Sequence, residues 1–290
     1  MLEIISVGPG EAALLTDDAK QAIARADAVW CAARHAVLVP PEKIRPLSPL
    51  EEAIEQMRGF SETGQNGAVL VSGDAGLYSL LEMLKRKVGG ENLRVHPGVS
   101  ALQLFAARLG VSWQSAKILS AHGRALSPSA LCYAARTHRQ TFLFLDAVHP
   151  PAWVWDSLTR GGLENARLFV GERLSYPDER AEAYRADAQY DPLCMAYIEN
   201  DAPESGLPPV GLPDNAFIRG KTPMTKRDVR ALVVSALHLK PDSVVWDIGA
   251  GTGSVSIECA RQCPLGEVCA VEMKADALDL IRQNAEKFHA

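Results

Sequence analysis

The stretch Val244-Val245-Trp246-Asp247-Ile248-Gly249-Ala250-Gly251-Thr252-Gly253 is an apolar strand that delivers an acidic residue into a glycine turn. An amphipathic run, Ser254–Gln262, comes directly after it and reads as a helix. Glycine tolerates positive φ and lets the backbone approach a ligand closely. Amides at the start of the following helix can receive a carboxylate or a phosphate. The next strand, Gly266–Val271, runs into Glu272, about twenty residues beyond the turn, where an acidic side chain can accept hydrogen bonds from two ribose hydroxyls. Nicotinamide and S-adenosylmethionine sites share that geometry. The spacing Gly249-x-Gly251-x-Gly253 is GxGxG and not the dinucleotide fingerprint GxGxxG, although neither is decisive alone.

Working outward, Thr225–Leu237 reads as a helix with Thr225 as its N-cap, and Ala275–Lys287 as a closing helix. The stretch 201–221 is rich in proline and glycine and reads as a linker. Upstream, short apolar strands alternate with amphipathic helices. Strands are expected at Leu2–Val7, Ala28–Cys31, Gly67–Ser72, Leu93–His96, Lys117–Ser120, Thr141–Leu145, Ala166–Val170 and Met195–Glu199. Helices are expected at Thr16–Arg25, Leu50–Arg58, Ser79–Val88, Ala101–Leu109, Ser129–Ala135 and Ala152–Thr159, and Ala181–Ala186 is ambiguous. Such alternation predicts an α/β chain with mostly parallel sheets. The expected division is a first lobe over 1–110, a second over 111–200, the linker, and a third part over 222–290.

Composition narrows the function. The chain has 290 residues, 47% of them hydrophobic, with 30 Lys+Arg against 35 Asp+Glu. A near-balanced charge argues against a nucleic-acid or anionic-membrane partner. No apolar run reaches the roughly 18 residues of a membrane span, and the N-terminus lacks the pattern of a signal peptide. The cysteines Cys31, Cys132, Cys194, Cys259, Cys263 and Cys269 form no CxxC. Cys259 and Cys263 lie one helical turn apart, but no further ligand is near in sequence, so no metal is expected. Buried thiols in a cytoplasmic protein are the ordinary reading.

Three strand ends carry turn motifs: Gly8-Pro9-Gly10, Ser72-Gly73-Asp74-Ala75-Gly76 and His96-Pro97-Gly98-Val99-Ser100-Ala101. Ligands of open α/β sheets gather at such ends. Together these motifs resemble the tetrapyrrole methylase family over about residues 1–200. His122-Gly123-Arg124 and Gly171-Glu172-Arg173-Leu174-Ser175-Tyr176-Pro177-Asp178-Glu179 resemble its precorrin-6 branch. Ala75 stands where many members carry proline.

The Asp-x-Gly-x-Gly-x-Gly turn of the third part resembles the loop of class I S-adenosylmethionine-dependent methyltransferases, a Rossmann-like fold. Gly211-Leu212-Pro213-Asp214-Asn215-Ala216-Phe217-Ile218-Arg219-Gly220 and Pro223-Met224-Thr225-Lys226 add a resemblance to the decarboxylating methyltransferases of the corrin pathway.

The two resemblances together imply methylation of a corrin precursor at positions 5 and 15, with loss of carbon dioxide from the ring C acetate. They imply S-adenosylmethionine at Pro9, Gly73, Asp74, Leu77, Ser100, Ala101, Leu145 and Gly171, and, in the third part, at Thr225, Gly249, Gly251, Thr252, Gly253 and Glu272. His122 and Arg124 would meet substrate carboxylates, since an arginine fork matches a carboxylate. A strong catalytic base need not exist, so no catalytic residue is named, and a homo-oligomer is implied by the habit of the family. A class I sheet has about seven strands, and this stretch supplies two, so an incomplete third domain with partly uncovered apolar strands is expected. The competing readings are an NAD-dependent oxidoreductase and a non-catalytic remnant in the third part.

Overall fold

Every side chain of β1 (Leu2–Ser6) is buried, which requires cover on both faces of its sheet. A computed structural model describing residues 1–89 and 93–290 shows how that cover is built. The strand alternates with a period of two. Ile5 belongs to an apolar cluster with Ala19, Ala22 and Ile23 of α1 (Asp17–Arg25), together with Val29 of β2 (Ala28–Cys31). Leu2 and Ile4 belong to a second cluster with Ala53, Ile54 and Met57, three residues that come from one helix.

The remaining elements of this region are β3 (Ile44–Pro46), α2 (Leu50–Glu62), which supplies those three residues, β4 (Gly67–Val71), α3 (Leu81–Val88), β5 (Leu93–His96) and α4 (Ala101–Leu109). The sheet order is β3-β2-β4-β1-β5, and all of its pairs are parallel. Thr16 caps α1 by accepting from the Ala19 amide at 3.2 Å, as its place before Asp17 and Asp18 predicts.

A second sheet is formed by β6 (Lys117–Ser120), β7 (Gln140–Phe144), β8 (Arg167–Glu172), β9 (Arg180–Ala183) and β10 (Cys194–Glu199), in the order β6-β7-β10-β8-β9. The helices α5 (Pro128–Thr137) and α6 (Pro151–Arg160) flank β7 in sequence. The ambiguous run near residue 181 contributes β9. Further on come α7 (Arg227–Ala236), β11 (Val244–Ile248), α8 (Ser254–Gln262), β12 (Glu267–Val271) and α9 (Ala275–Phe288). Strands β11 and β12 pair in parallel. On β11, Val244, Trp246 and Ile248 share a face and are 64%, 66% and 71% exposed.

The chain forms two compact units. One comprises Met1–Gln114, Val170–Glu182 and Gln189–Met195, and the other comprises Ser115–Phe169, Ala183–Ala188 and Ala196–Ala290. Among the described residues no helix is long and apolar enough to cross a membrane.

Thr225 does not cap α7. The cap residue is Lys226, without a side-chain bond, and the carbonyl of Thr225 instead accepts from Arg230 at 2.7 Å. Arg230 is fully buried. Its Nε donates to Glu258 on α8 at 2.7 Å, its Nη2 donates to the Leu212 carbonyl, and its guanidinium lies 4.6 Å from the Phe217 ring centroid. Glu258 also accepts from the Gly211 and Leu212 amides at 2.6 and 2.9 Å. An arginine with that much to hold displaces the local preference for a threonine cap.

A second buried ionic cluster lies in the first sheet. His96 at the end of β5 lies 2.6 Å from Glu3 through Nε2 and 2.6 Å from Asp18 through Nδ1. Arg25 forks onto Glu3 at 2.9 and 2.5 Å. Burial pushes the Glu3 carboxyl up, but the hydrogen bonds from Arg25 and His96 outweigh it and hold the group below its ordinary 4.5. The hydrogen bond from His96 likewise holds Asp18 low. Depressed carboxyls stabilise the fold above their unfolded pKa and lose that contribution as pH falls through the folded value. Glu3→Gln is expected to cost on the order of 3 kcal/mol at pH 7, because it leaves buried partners uncompensated. The penalty should shrink as pH drops below 4.5, where the unfolded chain takes up the proton, and go on shrinking through the lower folded value, where the native carboxyl loses its charge. Urea unfolding at pH 7 and pH 3 checks this, and an equal penalty at both would refute it.

Candidate functional site

The carboxyl ends of β4, β1 and β5 are adjacent because those strands are neighbours in the sheet. Beyond β1, the Val7 amide donates to Val71 at 2.9 Å. Gly8 and Gly73 then exchange hydrogen bonds, Gly8 N to Gly73 O at 3.1 Å and Gly73 N to Gly8 O at 2.7 Å. The Gly-Pro-Gly turn and the Gly-Asp-Ala-Gly loop are thus a single backbone unit. Gly8 has φ +64°, and a Cβ there would lie 3.1 Å from the Val99 carbonyl oxygen.

Asp74 joins the third motif. Its Oδ1 accepts from the Gly76 amide at 2.9 Å, closing its own turn, and its Oδ2 accepts from the Gly98 amide at 3.2 Å. One carboxylate therefore both closes its own turn and braces the third motif. Ser6 Oγ accepts from the Ala75 amide at 2.9 Å. A Cβ on Gly98 would sit 2.7 Å from the Ser6 Cβ and 2.8 Å from its carbonyl oxygen, so only glycine fits. Ser100 caps α4 through a complete capping box with Gln103. Pro9, Gly73, Asp74, Leu77, Ser100 and Ala101 are thereby gathered at one end of one sheet.

Gly171 lies on β8, where a Cβ would come 2.5 Å from the Phe105 ring, so its lack of a side chain has a packing reason. Tyr176, in the same quoted motif, donates from its hydroxyl to the Pro9 carbonyl at 3.2 Å. Sequence reading left Ser6, Phe105 and Tyr176 unassigned. The motif around Tyr176 was visible, but its partner 167 residues away was not.

In the other unit, His122 Nδ1 donates to the Leu145 carbonyl at 3.2 Å, which places two candidate residues side by side. The organising group is Asp146, which sequence reading missed. It accepts from the Gly123 amide at 3.3 Å, the Val148 amide at 3.0 Å, the His149 amide at 2.9 Å and His149 Nδ1 at 3.0 Å. Burial raises its pKa, but the donors from His149, Gly123 and Val148 outweigh it and bring the carboxyl down to about 2. Arg124 follows in the turn so held, its amide donating to Ala121 at 3.2 Å.

The glycine turn after β11 is equally well defined. Gly249, Gly251 and Gly253 all have positive φ. The Gly249 and Ala250 amides donate to the Val271 carbonyl at 2.8 and 3.1 Å. Glu272 accepts from the Gly251, Met273 and Lys274 amides at 3.0, 2.8 and 3.1 Å, and these bonds hold its carboxyl below the usual range. Asp247 accepts from Ser256 at 2.6 Å. Thr252 is buried, and its hydroxyl has no hydrogen-bond partner among the described residues.

Known proteins share these features. The family described as Tetrapyrrole (Corrin/Porphyrin) Methylases matches residues 1–188, and the family described as Precorrin methyltransferase domain matches residues 215–290. A precorrin-6Y C(5,15)-methyltransferase [decarboxylating] of Sinorhizobium sp is 32% identical over 303 residues, covering 99% of this chain and 71% of that protein. A cobalt-precorrin-6B C(15)-methyltransferase (decarboxylating) of Salmonella typhimurium is 50% identical over 76 residues, covering 26% of this chain and 40% of that one. The crystal structure of a cobalamin-biosynthesis precorrin-6Y methylase from Archaeoglobus fulgidus aligns with a TM-score of 0.53 at 20% identity, over 69% of this chain and 98% of that one, which supports the fold. With one family matched over more than half its length and a relative aligned over nearly all of it, the chain belongs to the tetrapyrrole (corrin/porphyrin) methylase family.

Proposed function

We propose that the chain catalyses S-adenosylmethionine-dependent methylation of a precorrin-6-type tetrapyrrole in cobalamin biosynthesis. The observation that carries this reading is the convergence of three glycine-bearing turns at the carboxyl ends of β4, β1 and β5, tied together by Gly8, Gly73 and Asp74. The reading divides the chain into lobes over 1–110 and 111–200, a linker over 201–221 and a class I methyltransferase part over 222–290. Methylation at position 5 falls to the lobes. Methylation at position 15, with loss of the ring C acetate carboxylate, belongs to the class I domain when complete. Six free cysteines suit a reducing cytoplasm.

Pro9, Gly73, Asp74, Leu77, Ser100, Ala101 and Gly171 would hold the cofactor in the first site, and the resemblance adds Leu145. Thr225, Gly249, Gly251, Thr252, Gly253 and Glu272 would hold it in the second. The residues there suit such a group: three positive-φ glycines expose backbone, and Thr252 keeps a buried hydroxyl unspent. When bound, S-adenosylmethionine supplies a methyl group already activated on a sulfonium. The protein's work is then positioning and exclusion of water, because the reduced tetrapyrrole carbons are themselves electron-rich. Backbone turns do this well because their shape does not depend on side-chain rotamers. His122 and Arg124, in the turn organised by Asp146, would meet substrate carboxylates.

Calorimetric titration of the full chain should show S-adenosylhomocysteine binding and no NAD binding, and methyl transfer to a precorrin-6-type substrate should place a new methyl group at position 5 by NMR. Gly98→Ala forces a Cβ to 2.7 Å from Ser6 and should cut transfer to position 5 by about a hundredfold. NAD binding without S-adenosylhomocysteine binding would overturn the reading. Asp146→Ala releases the His122–Arg124 turn and is expected to raise the KM for the tetrapyrrole about tenfold with S-adenosylhomocysteine affinity unchanged. An unchanged KM would remove that turn from the substrate site.

A further inference from the structure

After β2 the chain makes a 3-10 segment, Ala33–Leu38, that places Arg34 and His35 beside Ser72, the residue following β4. Arg34 Nε donates to His35 Nε2 at 3.2 Å, and Arg34 Nη2 donates to Ser72 Oγ at 2.6 Å. Ser72 Oγ lies 2.9 Å from the same His35 Nε2. A guanidinium only donates, so His35 Nε2 is an acceptor and the Ser72 hydroxyl hydrogen also points to it. The imidazole is therefore the neutral tautomer with its hydrogen on Nδ1. Burial, with the Arg34 charge beside it, holds the ring neutral by lowering its pKa to about 4.

That Nδ1–H has nowhere to go. His35 is 1% exposed, and its Nδ1 has no hydrogen-bond partner among the described residues. Buried donors without acceptors are rare because each forfeits a hydrogen bond to water. The group that covers it is Gly10, whose absent side chain would lie 3.4 Å from Nδ1 and 3.3 Å from Tyr176 Oη. Gly10 has φ +122°, open in practice to glycine alone, so only bare backbone lies over the ring.

Arg34, for its part, is exposed and has no acidic partner among the described residues. Nearby, Arg173 and Ser175 hold left-handed φ values of 47° and 73°, and the Ser175 hydroxyl is buried without a partner among the described residues. Backbone strain in non-glycine residues concentrates where ligands bind. Here it shapes the segment that lays Tyr176 against Pro9.

We propose that Arg34 and His35 form a subsite at the Pro9–Gly10 turn that binds one carboxylate arm of the tetrapyrrole substrate. The subsite rests on the methyltransferase reading of the same turn. Arg34 supplies the charge, and His35 supplies a neutral donor while fixing the Arg34 Nε. The cofactor also carries a carboxylate, but with an ammonium beside it that needs an acceptor. Among the described residues neither Arg34 nor His35 pairs with an acidic side chain, so a lone carboxylate is the better match.

The test uses the full chain, with uroporphyrin III as a polycarboxylate tetrapyrrole probe followed by its absorbance, and S-adenosylhomocysteine followed by calorimetry. Arg34→Gln is expected to weaken uroporphyrin binding about tenfold or more, as loss of a charge-assisted hydrogen bond should. S-adenosylhomocysteine affinity should stay within about twofold. Arg34→Lys should recover part of the loss, since lysine keeps the charge without the fork. His35→Phe should weaken uroporphyrin, and His35→Asn, which retains a donor, should weaken it less. Unchanged uroporphyrin affinity in both Arg34→Gln and His35→Phe refutes the subsite. A parallel loss of S-adenosylhomocysteine affinity assigns the pair to the cofactor carboxylate and refutes the substrate assignment. A wild-type chain that binds neither probe refutes the methyltransferase reading, and the subsite with it.

Discussion

The reciprocal pair of hydrogen bonds between Gly8 and Gly73 is the constraint on which the first site depends. A parallel sheet ends with backbone groups that have no next strand to pair with. Here two adjacent strand ends satisfy each other once more, in the antiparallel sense, before the chain turns away. Asp74 can then reach Gly98 on the far side of β1, and Ser6 can reach Ala75. The floor of the site is main chain held by main chain, with two short side chains as braces. Buried charge beneath it, from Glu3, His96 and Arg25, ties the strand that leads into the first turn to the strand that leads into the third.

Much of this was legible in the sequence, and for physical reasons. The apolar run of β1 and the capping signals at Thr16 and Ser100 are local, so the element order followed from pattern alone. The glycine turns at 8–10, 73–76, 97–98 and 249–253 were visible because glycine marks positions where a Cβ would collide or a positive φ is needed, as Gly98 and Gly251 show.

Ser6 and Tyr176 act across long sequence separations, whereas Asp146, His35 and Thr225 are decided by contacts that residue type alone does not specify. Asp146 stands next to a predicted site residue, yet nothing in its neighbours shows that it gathers four donors. His35 carries no motif that would single it out in the sequence, and only the Arg34 and Ser72 bonds fix its tautomer. Thr225 had the right residue type for a cap, but Arg230 claimed its carbonyl and the helix began one position later. Local rules give way where a buried charge must be satisfied.

That same charge bears on how the last part of the chain can be excised. Glu258 sits on the helix after the glycine turn, yet it takes two of its hydrogen bonds from Gly211 and Leu212 in the proline-rich stretch. Gln262, one turn further along that helix, reaches back to the Pro208 carbonyl at 2.7 Å. Severing the chain between Gly211 and Phe217 would strip the buried Arg230–Glu258 pair of the Gly211 and Leu212 groups that complete its hydrogen bonding. The shortest piece that could be grafted elsewhere and still fold therefore starts ahead of Gly211, and the downstream half of the proline-rich stretch acts as the first buttress of the helices and strands beyond it.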